Sequence, residues 1–279
     1  MRLTELLNTE NVTISCELFP PKQGAQLDNY KKIVGDMAAL KPAYMSVTYG
    51  ATGGTSDYTV ELANEVRNVN HIPALAHLTC ASSTKEKVAS VIQELKEKQI
   101  ENVLALRGDI PQNADFPLPN QYKHASELIY DIKSQGDFCI GGACYPEGHP
   151  ESQTLEEDLI HLKEKVDAGC EFLTTQMFFD NSKYFAFVEE ARKEGIEVPI
   201  IPGIKPFTKL SQLTVVPKTF RCDIPEEFVK EAAKCKNDDE FKELGVEWCV
   251  AQCKELMKHG VPSIHFYQMG AANSIRRIA

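Results

Sequence analysis

Eight short apolar runs alternate with longer amphipathic segments along this chain, and this alternation restricts the fold more than any other feature. The runs are rich in β-branched or aromatic residues and predict strands at 12–18, 43–49, 73–80, 102–107, 138–144, 172–177, 197–202 and 261–267. Helix-length segments between successive strands imply that the strands are parallel. Eight strands alternating with seven helical segments predict an α/β protein built as a (β/α)8 TIM barrel.

The segments between the strands have helical periodicity, near 26–40, 57–70, 84–98, 121–135, 153–169 and 181–194. A longer helical stretch, 208–258, separates the seventh and eighth strands, and Pro217, Pro225 and the charged KNDDE segment divide it into about three helices. We interpret this stretch as an enlarged connection and residues 1–279 as a single catalytic domain, because barrels of this class use about 250 residues.

Charge and hydropathy narrow the expected partners and location. The chain carries 40 acidic and 30 basic residues and no Lys/Arg-rich block, so nucleic acid is not an expected partner. The N-terminal segment lacks the apolar core of a signal peptide, and no run reaches the roughly 20 apolar residues of a membrane span. The sequence therefore predicts a cytoplasmic protein with no membrane contact.

The nine cysteines are scattered and form no C-x-x-C pair, which is typical of buried thiols in a reducing compartment. Cys249 and Cys253 lie four residues apart on one predicted helix and could supply two metal ligands. No second close pair completes a tetrahedral site. We predict no metal centre, although the spacing alone leaves open whether this pair binds a metal.

Unusual polar residues end nearly every predicted strand. In a (β/α)8 barrel the chemistry gathers at the rim where the strands end and the βα loops begin. The strand-end residues are Glu17, Thr48, His77, Arg107, Asp109, Tyr145 and Gln176. Their shared position makes this rim the candidate active site.

Two carboxylates at this rim are candidate catalytic groups. Glu17 lies in SCELFPPK, where apolar neighbours and two prolines limit solvent, and desolvation favours a protonated carboxyl that can act as a general acid. The alternative is a rim carboxylate that only forms a salt bridge. Asp109 lies in ALRGDIP, where it could stabilise a developing positive charge, although Arg-Gly-Asp also occurs in plain surface turns.

The segment GGACYPEGHPES is interpreted as a cofactor wall. The helix that follows presents Asp158, His161 and Lys165 on one face, which suits ribose hydroxyls and phosphates; a solvated face with local ion pairs is the alternative. His77 is assigned as a cofactor contact and not a base, and Gln176 as an amide that can bond a flat heterocycle. The motifs G-x-G-x-x-G, G-x-x-x-x-G-K-[ST], H-E-x-x-H and G-x-S-x-G are missing, so no separate dinucleotide domain is expected.

Taken together and in order, eight motifs between residues 12 and 268 resemble the methylenetetrahydrofolate reductase family: SCELFPPK, SVTYGA, AHLTC, ALRGD, YPEGHPES, KVDAGCEFLTTQMFFD, IPGIKP and HFY. The resemblance implies a (β/α)8 barrel that binds FAD noncovalently. It also implies an oxidoreductase that reduces methylenetetrahydrofolate to methyltetrahydrofolate, a step of one-carbon metabolism and methionine biosynthesis. The implied kinetic order is ping-pong: NADH or another donor reduces the flavin and leaves before the folate binds at the same face.

The resemblance also implies roles for individual residues. Glu17 would donate a proton to the folate, and Asp109 would contact the substrate beside the flavin. The implied flavin-binding positions are Thr48, Tyr49, Ala51, His77, Arg107, Gly108, Asp109, Tyr145, His149, Asp158 and Lys165, with weaker residue matches at His124, Ala125, Ser152 and His161. The implied substrate contacts are Thr48, Asp109, Gln176 and Gln212.

The chain departs from the family pattern after HFY, where QMGAANS replaces the Asn-Arg pair expected of common bacterial members. Gly270 and Ala271 cannot hold a folate tail, so we expect that contact to shift to Arg276 or Arg277 or to be weaker. Residues 209–251 also match the family poorly, and electrons could come from NAD(P)H or from a partner protein. We expect a homo-oligomer. Two alternatives remain: a flavin- or folate-binding subunit that depends on a partner for electrons, and a flavin-free folate-linked methyltransferase barrel.

Overall fold

The computed structural model describes residues 1–8, 11–21, 27–50, 56–81, 83–110, 115–267 and 277–278. The strands in this part of the chain are β1 (Thr13–Leu18), β2 (Tyr44–Val47), β3 (Ala74–Thr79), β4 (Asn102–Leu106), β5 (Cys139–Cys144), β6 (Phe172–Thr175), β7 (Ile200–Ile201), β8 (Gly203–Ile204) and β9 (Ser263–Phe266). They form one sheet in the order β7-β6-β5-β4-β3-β2-β1-β9-β8, with every pair parallel.

The two ends of this sheet meet at Pro202, which closes the barrel. β7 pairs with β6, and β8, on the other side of the proline, pairs with β9. Proline has no N–H to donate to a ladder, so β7 and β8 are two halves of one seventh barrel strand. The predicted (β/α)8 barrel is therefore confirmed. Its seventh strand was predicted too early, at 197–202, because the apolar run continues past this proline to Ile204.

The barrel helices follow the predicted segments to within a few residues. The helices in the described ranges are α1 (Leu3–Leu7), α2 (Leu27–Ala38), α3 (Ser56–Asn64), α4 (Lys85–Glu97), α5 (Ala125–Gln135), α6 (Leu155–Asp167), α7 (Asn181–Lys193), α8 (Gln212–Phe220), α9 (Glu226–Ala232) and α10 (Asp238–Lys258). A π-helical turn, Glu65–Val69, extends α3. Threonine side chains cap α4 and α6 by accepting an N–H of the first turn. Among these helices, none combines the length and apolarity needed to cross a membrane.

The short helix α1 was not predicted, and it covers the N-terminal end of the barrel. Leu3 and Leu7 are buried and pack with interior side chains of the strands, including Tyr44 and Phe172. The backbone N–H of Leu3 donates to the Asn102 side chain at 2.8 Å, which ties α1 to the start of β4. The barrel interior is thus closed at this end, and it is accessible from the C-terminal rim.

The enlarged connection between the seventh and eighth barrel strands consists of three helices, α8, α9 and α10, as predicted. Its core contains a cluster of aromatic rings in which Phe207 packs against Phe179, Phe228 and Phe241 at centroid distances of 4.3–6.0 Å. Pro217 was predicted to break this segment but lies inside α8. The other two predicted breaks are confirmed, since the helices are interrupted at 221–225, which includes Pro225, and at 233–237, where KNDDE begins. A proline in the second turn of a short helix sacrifices few backbone hydrogen bonds, and this explains why α8 tolerates it.

Candidate functional site

A cavity of about 550 Å³ opens at the C-terminal ends of the barrel strands and extends to α6. Sixteen sequence-predicted residues line it: Glu17, Thr48, Tyr49, His77, Arg107, Gly108, Asp109, His124, Ala125, Tyr145, His149, Ser152, Asp158, His161, Lys165 and Gln176. They lie at or after the C-terminal ends of the six strands β1 to β6 and at the start or on one face of α5 and α6. The parallel barrel brings them together because all its strands end at the same rim. Ala51 lies outside the described residues.

Glu17 lies deep in this cavity and is 5% exposed. Burial raises the pKa of its carboxyl from 4.5 to about 8, and the opposing attraction of Lys205 lowers that pKa only in part. The carboxyl is therefore mostly protonated at neutral pH. This state is the one required of a proton donor.

His77 faces Glu17 from β3, but the two residues do not form an ion pair. Their closest atoms, His77 Nε2 and Glu17 Oε2, are 3.6 Å apart, which is too long for a hydrogen bond. Burial lowers the pKa of His77 from 6.5 to about 3, so the imidazole is neutral where the carboxyl is protonated. His77 therefore fits a neutral hydrogen-bonding group better than a base, and its assignment as a cofactor contact stays a prediction.

A second buried histidine, His265, lies beneath this pair and was not singled out from the sequence. Its two ring nitrogens hydrogen-bond Ser15 Oγ at 2.8 Å and Ser46 Oγ at 3.2 Å. Burial, together with the nearby His77, lowers its pKa from 6.5 to about 3. The floor of the cavity therefore contains two neutral imidazoles and a protonated carboxyl.

Within the described part of the chain, three buried polar atoms on the cavity wall have no hydrogen-bond partner: His77 Nε2, Thr79 Oγ1 and Thr174 Oγ1. Buried polar groups are almost always hydrogen-bonded, since leaving one unpaired costs about 1–3 kcal/mol. Unpaired atoms that converge on a cavity therefore indicate that it takes a ligand with polar edges, or ordered water.

One side of the cavity is rich in charge. Arg107 forms a two-fold ion pair with Glu151, with nitrogen–oxygen distances of 2.6 and 2.5 Å. Lys165 extends from α6 and donates to the Ala143 carbonyl at 2.8 Å. Guanidinium and ammonium groups at a cavity wall are suited to bind phosphate oxygens.

The predicted stripe on α6 borders this cavity: Asp158 and Lys165 are half-buried, whereas His161 is exposed and makes a local contact with Glu164, as the alternative of a solvated face with local ion pairs expects. Asp158 accepts the backbone N–H of His149 at 3.0 Å, which fixes the loop that precedes the helix. Burial raises the pKa of Asp158. His161 lines the cavity edge and contacts Glu164 at 3.3 Å, and the His149 ring packs edge-on against Tyr145.

The two predicted glutamines differ in position. Gln176 lines the cavity, and its side-chain oxygen accepts the N–H of Met177. Gln212 is not part of the lining: its side-chain oxygen accepts the N–H groups of Thr208 and Lys209 at 2.7 and 3.1 Å, which fixes the loop before α8. Its assignment as a substrate contact stays a prediction.

Several lining residues were not predicted from the sequence, among them Thr79, Thr174, His265 and Tyr267. The signal that found the others, a polar residue at the end of an apolar run, was also present in SIHFY and FLTT. Lys205, which follows β8, carries the same signal and is buried. None of these residues was assigned a functional role from the sequence.

The remaining predictions concern the tail and the cysteines. Gly270, Ala271 and Arg276 lie outside the described residues, and Arg277 forms an exposed ion pair with Glu243. Cys249 and Cys253 are buried free thiols on α10. Within the described ranges, no three His, Cys, Asp or Glu side chains are grouped so that they could hold a metal ion.

Comparison with known proteins decides the family. The sequence model described as "Methylenetetrahydrofolate reductase" matches residues 2–279. The chain belongs to this family. The 5,10-methylenetetrahydrofolate reductase of Pectobacterium carotovorum subsp. carotovorum is 34% identical over 262 residues, which cover 94% of this chain and 87% of the relative.

Eukaryotic members of the family are longer. Methylenetetrahydrofolate reductase 1 of Schizosaccharomyces pombe is 34% identical over 274 residues, covering 96% of this chain and 45% of the relative. Methylenetetrahydrofolate reductase (NADH) 1 of Arabidopsis thaliana is 33% identical, covering 93% of this chain and 46% of the relative. The chain therefore spans about half the length of these family members.

A solved structure shares the fold across the whole chain. A protein from Clostridium thermocellum, described as binding two copies of 5-methyl-5,6,7,8-tetrahydrofolic acid, superposes with a TM-score of 0.73 at 17% identity. The superposition covers 100% of this chain and 96% of that one. At this identity the likeness supports the barrel fold alone.

Proposed function

We propose that this chain catalyses the flavin-dependent reduction of methylenetetrahydrofolate to methyltetrahydrofolate. Membership of the family and the names of its bacterial relatives support the reaction. The description of the Clostridium thermocellum protein, which binds a methylated tetrahydrofolate in the same fold, supports a folate as the substrate.

The single observation that carries the proposal is the protonated Glu17 at the base of the rim cavity. Opening the five-membered ring of the folate requires a proton on the departing nitrogen, which keeps the electron pair of the breaking C–N bond. A carboxyl whose pKa is about 8 holds this proton at neutral pH and is available to donate it to the departing nitrogen as the C–N bond breaks. His77, which is neutral, leaves the proton with Glu17.

The residues of the cavity fit FAD as the cofactor. Three unpartnered polar atoms, His77 Nε2, Thr79 Oγ1 and Thr174 Oγ1, provide hydrogen bonds for the polar edge of a flat ring. Gly108, at φ +82, brings backbone close to the cavity where a Cβ would press on Thr79. Arg107 and Lys165 provide cations for the pyrophosphate, and Asp158 provides an acceptor for a hydroxyl. When bound and reduced by the electron donor, the flavin would supply the hydride that reduces the methylene carbon.

Asp109 and Gln176 are assigned to the substrate. Asp109 is exposed at the mouth of the cavity, where its carboxylate can attract the positive charge that develops on the opened folate. Gln176 presents an amide from the end of β6, and amides can bond the donor and acceptor edge of a pterin.

NADH is the electron donor that we propose, with a partner protein as the second candidate. The NADH named for plant relatives supports the nicotinamide. One rim cavity then serves donor and folate in turn, as ping-pong kinetics require. The partner protein stays a candidate because α8 reaches the cavity wall through Phe220 and residues 209–251 match the family poorly.

An anaerobic visible spectrum of the purified protein tests the proposal. Oxidised flavin absorbs at about 450 nm. This absorbance should be lost on addition of NADH and return on addition of methylenetetrahydrofolate. Bleaching by dithionite but not by NADH, followed by recovery with the folate, would support the partner-protein donor. Protein that binds no flavin even after added FAD would refute the proposal.

The role of Glu17 has its own test. Glu17→Gln keeps the size of the side chain but cannot donate a carboxyl proton, so reduction by NADH should be retained while reoxidation by the folate slows by at least about 100-fold. Glu227→Gln, at an exposed carboxylate on α9, is the matched control. Unchanged reoxidation in Glu17→Gln would show that the proton comes from elsewhere.

A further inference from the structure

Lys205 is a buried cation at the C-terminal end of the seventh barrel strand. It follows β8 directly and is 4% exposed. Its ammonium group has no hydrogen bond and no ion pair within 4 Å in the described part of the chain, and it does not line the cavity. A buried charge is costly unless another charge compensates it.

The strand register places Lys205 on the same level of the barrel as Glu17. Ile204 of β8 pairs with Phe266 of β9, and Phe266 pairs with Cys16 of β1. The next residues along these three strands are Lys205, Tyr267 and Glu17. Residues in one row of neighbouring parallel strands point to the same side of the sheet. Glu17 and Tyr267 line the cavity, so this row faces the barrel interior.

Lys205 is the one positive charge among the described groups that face Glu17. His77 on β3 and His265 on β9 both have a pKa near 3 because they are buried, so they are neutral at the pH of turnover. The phenol of Tyr44 on β2 is neutral, since burial raises its pKa, and burial has the same effect on Tyr267. When Glu17 loses its proton, neither imidazole nor phenol supplies a compensating cation.

We propose that Lys205 is a positioning residue of this site: its ammonium group is the counter-charge that stabilises the Glu17 carboxylate formed when the proton moves to the folate nitrogen. The inference rests on the proposed function, since it assigns a group that supports the proton donor. Glu17 starts as a carboxyl and ends as a carboxylate, and Lys205 keeps its own proton throughout. The stabilisation therefore grows as the proton leaves, which is the property that speeds a chemical step.

The direction of the effect follows from the charges. Burial raises the pKa of Glu17, and Lys205 opposes this rise. In turn, burial lowers the pKa of Lys205 while Glu17 raises it. Removing the ammonium group leaves burial unopposed, so Glu17 should hold its proton to higher pH and release it to the substrate less readily.

The experiment measures reoxidation of the dithionite-reduced holoenzyme by methylenetetrahydrofolate across the alkaline pH range. In the wild type the rate should fall as Glu17 ionises. Lys205→Met replaces the cation by an apolar chain of similar length. In this variant the alkaline limb, which is the fall of the reoxidation rate at high pH, should move up by roughly one pH unit or more. Its reoxidation rate at neutral pH should fall at least about tenfold. Lys205→Arg keeps the charge and should restore the wild-type limb. Lys218→Met, at an exposed lysine on α8, is the matched control.

A second measurement separates this inference from the proposed function. The infrared carboxyl band of Glu17, identified as the band missing in Glu17→Gln, is titrated without folate in wild type, Lys205→Met and the second neutral variant Lys205→Gln. The band should persist to higher pH in both neutral variants. If it does so while the wild type never reduces the folate, the proposed function fails and the charge pairing stands. The role of Lys205 would be overturned if, in the neutral variants, the Glu17 band titrated and the reoxidation rate fell at the same pH as in the wild type.

Discussion

The two neutral histidines in the floor of the cavity, His77 and His265, should make the folded chain less stable in acid. His265 has a pKa of about 3 in the folded chain and 6.5 as the unperturbed group, so the unfolded chain binds a proton that the folded chain refuses between these two values. Because the pKa of His265 is lower in the folded chain, its effect on the free energy of unfolding is absent well above pH 6.5. As the pH falls below 6.5, protonation of the unfolded chain lowers the free energy of unfolding. Each tenfold difference in proton binding corresponds to about 1.4 kcal/mol, so His265 alone should cost roughly 2 kcal/mol between pH 7.5 and pH 5.

The perturbation is His265→Gln, which removes this titration. The variant should be less stable than the wild type at pH 7.5, since it loses ring hydrogen bonds to Ser15 and Ser46. On going to pH 5 the wild type should lose roughly 2 kcal/mol more than the variant, so the gap between them should narrow by that amount. The measurement is the free energy of unfolding from urea denaturation at several pH values between these limits.

His71→Gln, at an exposed histidine, is the control for the loss of an imidazole. A variant that lacks His77 should behave in the same way: the difference in unfolding free energy between it and the wild type should narrow by a similar amount from pH 7.5 to pH 5. The reason is that burial also lowers the pKa of His77 to about 3. A gap between wild type and His265→Gln that stays constant from pH 7.5 to pH 5 would refute the argument that burial keeps this imidazole neutral.

Three further predictions concern the supports of the site. Gly203→Ala should lower the free energy of unfolding by about 1–3 kcal/mol and alter the near-ultraviolet circular dichroism, because the added Cβ would clash with the Tyr267 ring. An unchanged urea denaturation curve would contradict this. Thr154→Ala should lower the free energy of unfolding by about 1 kcal/mol, since the hydroxyl accepts the Glu157 N–H at the start of α6; an equal value in the variant would exclude this cap. Arg107→Ala should weaken FAD binding at least about tenfold in a fluorescence titration, and unchanged affinity would place the pyrophosphate elsewhere.

Much of the site was predictable from the sequence because one rule connects chain position to location. In a parallel barrel every strand ends at the same rim, so polar residues after apolar runs, such as Glu17, Arg107 and Gln176, had to meet there. The same rule would have found His265 and Tyr267. Helix positions also followed from the chain, since the 3.6-residue spacing of apolar side chains depends only on neighbouring residues.

The position of Gln212 shows where such reasoning ends. Its segment matches no strand end, and the residue lies in the long connection, where the helix breaks depend on how α8, α9 and α10 pack around Phe207 and its aromatic neighbours. The side chain binds the backbone of the loop that precedes its own helix. A local hydrogen bond of this kind competes with any role in the cavity, and sequence alone does not rank the two.

The sequence by itself determined the order of strands and helices, the rim at which the chemistry gathers, and the family. Only the tertiary structure decided the state of each group there, because protonation depends on burial and on charges from distant parts of the chain. Glu17 is a protonated acid since the closed barrel removes it from water. Lys205 faces it because β8, β9 and β1 lie side by side at the closure of the barrel. Neither fact is a property of the short segment in which the residue lies.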